Sequence, residues 1–396
     1  MTERLYYHDA ELVEFDATIA VIGEDEGRYY TILDRSAFYP TSGGQLFDTG
    51  ELAGVAIEEV VETGDDVIRH LSSSPVGGVG QTVHGEVNRT RRKANSRKHT
   101  AQHILSQAFV KLFGWSTVSV HLGEQYAAIE LDQSSVAEEQ LQKSESIANE
   151  VVLANDPVQI RFLEGDELNA IPLRRIPKRS GLLRIVITGE FDYSACGGTH
   201  CRSTGEVGII KIMGTEQMRG HVLVKFLIGQ QALADYGNRL TVTSTLSQRL
   251  TCGIGDLVER VDKLSFENKE LRHQLGKTQK ELLPIRASAL AENAVLCGKH
   301  RLVVDQVDDF DSKLTSALVI QVAAITGGAV FLITGERLFV ATASESGLHA
   351  GQLARQIGVA CGLKGGGNER VAQLGTVDRD SLERYRQAIE QVVTNA

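Results

Sequence analysis

The 396-residue sequence predicts a multidomain α+β protein: a small N-terminal β-barrel, a central α+β metal-binding domain, a long helical or coiled-coil segment and a C-terminal α/β domain. Three observations carry this. Short β-rich runs broken by Gly, Asp and Ser recur through residues 1–90. A helical pattern over 96–113 carries His99 and His103, and Cys196 and His200 follow far downstream with Gly197 and Gly198 between them. A heptad pattern over 254–282 separates that region from the strand and helix signals beyond 300. The expected boundaries are 1–90, 91–229, 230–297 and 298–396.

Composition is that of an ordinary globular protein, 42% hydrophobic and 23% charged. The first 16 residues contain no apolar signal region, and no 18-residue apolar run occurs, so membrane insertion and secretion are not expected and the cytoplasm is. Five scattered cysteines argue for a reducing compartment without a disulfide framework. The net charge of −10 counts against nucleic acid as a whole, so basic clusters must be judged locally.

Strands are expected at 17–22, 29–33, 55–61 and 67–71. The stretch 38–50, FYPTSGGQLFDTG, fits a hairpin connection with Gly at positive φ, or a backbone brought close to a substrate with Gln45 offering a donor and an acceptor. Then comes a basic tract. Arg89, Arg91, Arg92, Lys93, Arg97 and Lys98 precede the histidine helix, and contact with an RNA backbone competes with a merely solvated face. A second cluster, Arg174, Arg175, Lys178, Arg179 and Arg184, lies before the Cys-His turn. Two basic patches flanking one metal site suggest a substrate rich in phosphates.

On the helix, Ala101, Ile104, Leu105, Ala108, Phe109 and Leu112 form one apolar stripe, with both histidines on roughly the opposite side. Residues four apart stand one above the other, so both imidazoles can reach one ion. Cys196 and His200 complete a set of one thiolate and three imidazoles, with the two glycines expected to allow a tight bend. Such a set suits Zn2+. Next, 117–123 and 127–131 read as paired strands with Ser119 and His121 on one face. A helix at 136–154 and strands at 158–162, 183–187, 208–213 and 222–228 complete an antiparallel sheet carrying helices.

Ile254, Leu257, Val261, Leu264, Asn268, Leu271, Leu275, Thr278 and Leu282 form the heptad seam, and Pro284 marks its end or a kink. It fits a helix folded back on a neighbour or a homodimer through 250–282 or the C-terminal domain. Beyond it, strands are expected at 302–305, 329–334 and 338–343, and helices at 312–324, 349–361 and from 381. The run GLKGGGN at 362–368 reads as a phosphate-cradling nest or a flexible connection, and lacks the ending of a nucleotide P-loop.

The YPTSGGQ-x-x-DTG loop, HTAQH on a helix and CGGTHC-x-STGEVG together resemble the freestanding alanyl-tRNA editing proteins of the long AlaX type and the editing half of alanyl-tRNA synthetase, over nearly the whole chain. The resemblance implies zinc held by His99, His103, Cys196 and His200. The pattern departs at Cys201, where an apolar residue would be expected; it reads as an inert small hydrophobe or a competing ligand. The 362–368 run resembles the DHH-associated domain, which implies RNA binding and makes Lys364 a candidate contact. The implied reaction is hydrolysis of the ester joining serine, or glycine, to alanine tRNA, acting in trans to protect translational fidelity. Gln45, Thr117, Ser119 and His121 are the candidates for the catalytic pocket, which would hydrogen-bond the serine hydroxyl that alanine lacks. Four protein ligands usually close a zinc site, so Cys196 or His200 is expected to exchange. The alternatives are a zinc hydrolase of another acyl ester and a non-catalytic tRNA-binding paralogue.

Overall fold

The computed structural model describes all residues except 26, 65, 177–180, 309, 311, 376–377 and 379–381. The chain forms two compact units, Met1–Thr245 and Leu246–Ala396. No helix among the described residues is long and apolar enough to cross a membrane.

The first unit opens with a nearly closed, barrel-like antiparallel sheet of seven strands. In spatial order they are Val55–Ile57, Gly50–Leu52, Thr82–Val87, Glu14–Asp25, Arg28–Leu33, Val67–Ser72 and Glu59–Thr63. Alternation builds its core: Phe15, Ala17 and Ile19 face Val83 and Val87 inside, while the intervening residues meet solvent. The stretch at 38–50 makes the expected hairpin. Gly43 and Gly44 sit at φ +55° and +83°, the signs that a two-residue hairpin turn demands, between Ser42 and Gln45 bonded in both directions at 3.2 and 2.9 Å. It is also anchored, because the amide of Leu122 donates to the Gly44 carbonyl at 3.1 Å.

The histidine helix runs over Arg89–Phe113, seven residues earlier than 96. Asn88 sets the start by accepting from the Arg91 amide at 3.0 Å, and Gly114 ends it at φ +72°. The basic tract is therefore helix. Its apolar stripe packs on a four-stranded sheet of Thr117–Leu122, Ala127–Leu131, Val222–Ile228 and Ile210–Gln217, beside the helix Glu138–Ala154. The opposite side is not solvent, however: His99 and His103 are each 3% exposed, whereas Leu112, assigned to the stripe, is 38% exposed. A second small sheet, Val158–Leu163, Leu183–Thr188 and Asp192–Ala195, carries the chain into the Cys-His turn.

The second unit contains the helix Leu257–Glu292 and a six-stranded sheet. The helix passes through Pro284 without ending, and buries a side only from just before that point onward, through Leu283, Ala287 and Leu290. Its expected seam stays open, with Val261 50%, Leu271 64% and Leu275 57% exposed. Ile254 precedes the helix in a short 3-10 turn. The helix Ser312–Thr326 joins the parallel strands His300–Gln306 and Ala329–Thr334, while Ala350–Cys361 and Leu382–Thr394 pack on the Leu353, Ile357 and Tyr385 cluster. The glycine run is neither nest nor loose connection. Lys364–Gly367 is an edge strand paired with Val371–Gly375, and a Cβ on Gly351 of the overlying helix would meet the Gly367 carbonyl at 2.6 Å. Small residues there let helix and strand approach closely.

Candidate metal centre and its cavity

The histidine helix brings His99 and His103 against the turn Cys196–His200, and the ligand atoms of His99, His103, Cys196 and His200 all lie within 4.8 Å of one another. Cys196 Sγ is 3.4 Å from Nε2 of both His99 and His200. A tetrahedral zinc site needs N···S separations of about 3.5 Å. The donor set fits.

The surrounding hydrogen bonds settle which nitrogens face the centre. His99 Nδ1 lies 2.7 Å from Gln45 Oε1, which also accepts from the Thr199 amide at 3.1 Å, while Gln45 Nε2 donates to Thr199 Oγ1 at 2.9 Å. Because the Thr199 amide can only donate, the Gln45 oxygen is identified, and His99 must carry its proton on Nδ1. His103 Nδ1 lies 2.9 Å from the buried Asp192 carboxylate. Thr100 gives its hydroxyl proton to the Ser96 carbonyl at 2.9 Å, so at 3.2 Å from His200 Nδ1 it accepts. All three imidazoles thus hold Nδ1–H outward and direct an Nε2 lone pair inward, the arrangement metal-binding histidines require.

Electrostatics agree. Burial opposes ionisation of Cys196, yet the neighbouring imidazoles of His99, His103 and His200 hold its thiol well below its ordinary value. Burial, with the neighbouring His99 imidazole, pushes His200 down to about 3. His103 is raised against the burial penalty by Asp192, whose own carboxyl is held low, also against burial, by His103 and Arg174.

The chain bends at Gly198 as expected, and that glycine also serves space. Neither Gly197 nor Gly198 has a positive φ. A Cβ on Gly198 would stand 2.1 Å from His99 Cε1. Cys201 is off-strand, buried in the helix–sheet core, outside the metal group, and raised by burial to about 12. It is the inert hydrophobe.

Of the four candidate ligands, His99, His103 and Cys196 line a cavity of about 580 Å3, within the range of small-molecule sites. Thr117 and Ser119 line it; His121 and Gln45 do not. Gln45 is fully buried and committed to His99 and Thr199, so it fixes the His99 ring and does not face the cavity. A β-bulge between Thr117 and Ser119 decides the strand. Thr117 pairs with buried Leu131, whereas Ser119 and His121 pair with Glu130 and Ala128 on the other face, and His121 ends exposed beside Tyr126. Thr117 donates to Ser106 at 2.8 Å, and Ser119 donates to Glu130.

The basic tract divides. Arg92 is 1% exposed, ion-paired with Asp48 at 2.6 Å and bonded to the Ala10 and Ala37 carbonyls, and Lys98 is held by the Gly123 and Glu124 carbonyls. Neither is available to RNA: both tie the helix to its neighbours. Arg91 pairs with Glu124 at 2.8 Å. Arg89, Lys93 and Arg97, four apart, remain exposed on one stripe. Arg174 donates to the His103 carbonyl at 2.9 Å and lies 3.4 Å from Asp192, making it part of the metal surroundings; Arg175 lines the cavity. Arg184 is buried, bonded to the carbonyls of Tyr7, Cys196 and Gly198. Lys178 and Arg179 lie outside the described residues, and Lys364 is exposed on its edge strand. Sequence reasoning missed Asp192, Thr100 and Thr199. Asp192 stands four before Cys196, a carboxylate near a candidate ligand, which was the available signal.

Comparisons with known proteins agree with this geometry. Residues 183–222 match the family described as threonyl and alanyl tRNA synthetase second additional domain, and 299–395 match the DHHA1 domain. The alanyl-tRNA editing protein AlaX-L of Pyrococcus horikoshii is 28% identical over 412 residues, covering 99% of this chain and 98% of that one. Alanine--tRNA ligases of Archaeoglobus fulgidus and Pyrococcus furiosus are 31% and 30% identical over 94% and 99% of this chain. The chain spans only 42% and 43% of those ligases. With both domains in order and a relative aligned from end to end, the chain is similar over its whole length to an alanyl-tRNA editing protein of the long AlaX type.

Proposed function

We propose that this protein is a zinc-dependent trans-editing hydrolase, which removes serine, and by extension glycine, from mischarged alanine tRNA in the cytoplasm. The observation that carries this is the convergence of three inward Nε2 lone pairs and a readily ionised thiol beside a cavity of about 580 Å3 that His99, His103 and Cys196 line. The editing function named for the full-length relative supports the substrate class.

In this reading His99, His103, Cys196 and His200 hold Zn2+, and Gln45, Asp192 and Thr100 fix the three imidazoles. With Cys196 or His200 exchanging, bound Zn2+ would supply positive charge to polarise the ester carbonyl and to acidify water. Thr117 and Ser119 have their hydroxyl protons committed elsewhere, so each offers lone pairs to the donating hydroxyl of serine. An alanyl ester makes neither bond, which favours serine. Phosphates of the tRNA are met by Arg89, Lys93, Arg97, Arg175, Lys178, Arg179 and Lys364. The open seam of Leu257–Glu292 supports a homodimer. Residues 1–90 and 91–229 build the editing half, 230–297 the spacer and 298–396 the RNA-binding end.

The test is deacylation of Ser-tRNA(Ala) and Ala-tRNA(Ala) by wild type and by the His99→Ala/His103→Ala double variant, with metal content measured. Loss of serine alone, abolished in the variant, is expected. If metal-loaded wild type cleaves neither ester, the reading fails.

A further inference from the structure

We propose that Tyr7 is the general acid of this hydrolysis, delivering a proton from its phenol to the departing ribose oxygen. The assignment rests on the hydrolase reading above. Two cavities meet at Tyr7: the metal cavity, and a neighbouring cleft of about 660 Å3 bordered by His8, Phe162 and Leu182. They share Arg4, Tyr7 and the segment 195–197 as a common wall. An ester must join an acyl half at the metal to an alcohol half that leaves that cavity. The second cleft is the way out, and its exposed Phe162, 5.3 Å from the His8 ring, offers a stacking surface to a base. The bridging oxygen then lies at the junction.

The phenol is prepared for that position. Arg4 donates to Tyr7 Oη at 3.0 Å, and Arg4 is itself fixed by Glu62 at 2.6 Å and Asp66 at 3.1 Å. The oxygen therefore accepts from a cation, and among the described residues no acceptor takes its own proton. The guanidiniums of Arg4 and Arg184 stand 5.3 and 5.2 Å from the ring centroid and hold the ring at the junction. A Cβ on Gly197 would touch the hydroxyl at 3.1 Å, which puts it one residue from Cys196. The other two tyrosines of the cavity differ: Tyr39 donates to the Ser42 carbonyl at 3.0 Å, and the Tyr6 hydroxyl is sealed in the core.

The step balances. Water oxygen bonds to the carbonyl carbon, the carbon–oxygen bond to ribose breaks, and the ribose oxygen takes the Tyr7 proton. Solvent then reprotonates the phenolate, and the proton lost by water is released.

The test compares Tyr7→Phe with wild type in single-turnover deacylation of two seryl RNA minihelices, one with the normal ester and one with sulfur replacing the bridging oxygen. A thiolate leaves without a proton. Tyr7→Phe is expected to slow the oxygen ester by about 10²–10⁴-fold and the thioester by less than about threefold, with metal content and melting temperature unchanged. Equal slowing of both esters, or none of the oxygen ester, overturns the proposal. Should Tyr7→Phe fold poorly, Arg4→Gln keeps the phenol and must show a smaller loss confined to the oxygen ester; its absence also overturns the assignment. Wild type inactive on both esters removes the hydrolase reading and this assignment with it.

Discussion

Substituting Gly198 by Ala should unmake the metal centre through one methyl group. The new Cβ would stand 2.1 Å from His99 Cε1, 2.2 Å from Nδ1 and 3.0 Å from Gln45 Oε1, where ordinary contact begins at 3.4 Å. Ring or turn must therefore retreat by about 1.3 Å, several times the roughly 0.2 Å tolerance of a metal–ligand distance. Neither can do so cheaply. His99 is 3% exposed and tied to Gln45, and the turn is held by Arg184 on the carbonyls of Cys196 and Gly198. Backbone conformation contributes nothing, because Gly198 has no positive φ. We expect Zn2+ affinity to fall by at least about 100-fold, roughly 3 kcal/mol. Overpacking should cost a further ~1–3 kcal/mol of folding stability. Competition against a chromophoric chelator measures the first and urea unfolding the second. Gly197→Ala is the control: its Cβ would meet only the tip of Tyr7 at 3.1 Å, so affinity should stay within about tenfold. Gly198→Ala with wild-type zinc affinity would refute the argument that this glycine exists to admit the His99 ring.

Asp192→Asn should lower zinc affinity about 10–100-fold by weakening the hold on His103 Nδ1, read by the same titration. Acid should destabilise the barrel through His70, which is buried between the Thr31 carbonyl and Ser36 and lowered by burial to about 4. The unfolded chain takes the proton first, so this stability is whole above pH ~6.5 and falls by about 3 kcal/mol as pH drops to ~4. A His70→Gln chain should lack that slope in urea midpoints measured against pH. Lys93→Ala and Arg97→Ala should each weaken tRNA binding and reduce its salt slope by roughly one, while Lys93 and Arg97 together leave zinc content unchanged; an unchanged slope would remove the stripe from the RNA contact.

Much of this protein is readable from local pattern. The strand Arg28–Leu33, expected at 29–33, and the apolar stripe on the histidine helix come from near neighbours in the chain, and the positive-φ pair Gly43–Gly44 announces its own hairpin. Likewise the H-x-x-x-H and C-x-x-x-H spacings are local, so the four candidate ligands that the fold brings together could be named before any fold was known.

Tertiary structure alone decided what surrounds them. Gln45 reaches His99 across 54 residues, Asp192 reaches His103 across 89 and Thr100 reaches His200 across 100. Nothing in a linear pattern separates the exposed Lys93 from Arg92, whose guanidinium found Asp48 in the core, or foretells the bulge that parts Thr117 from Ser119. The physical reason is the range of the forces. Periodicity records which side of one element avoids water, a property of adjacent residues. The partner of a buried polar group is whichever donor or acceptor the folded chain brings within about 3 Å, because leaving it unmatched costs more than most other single errors.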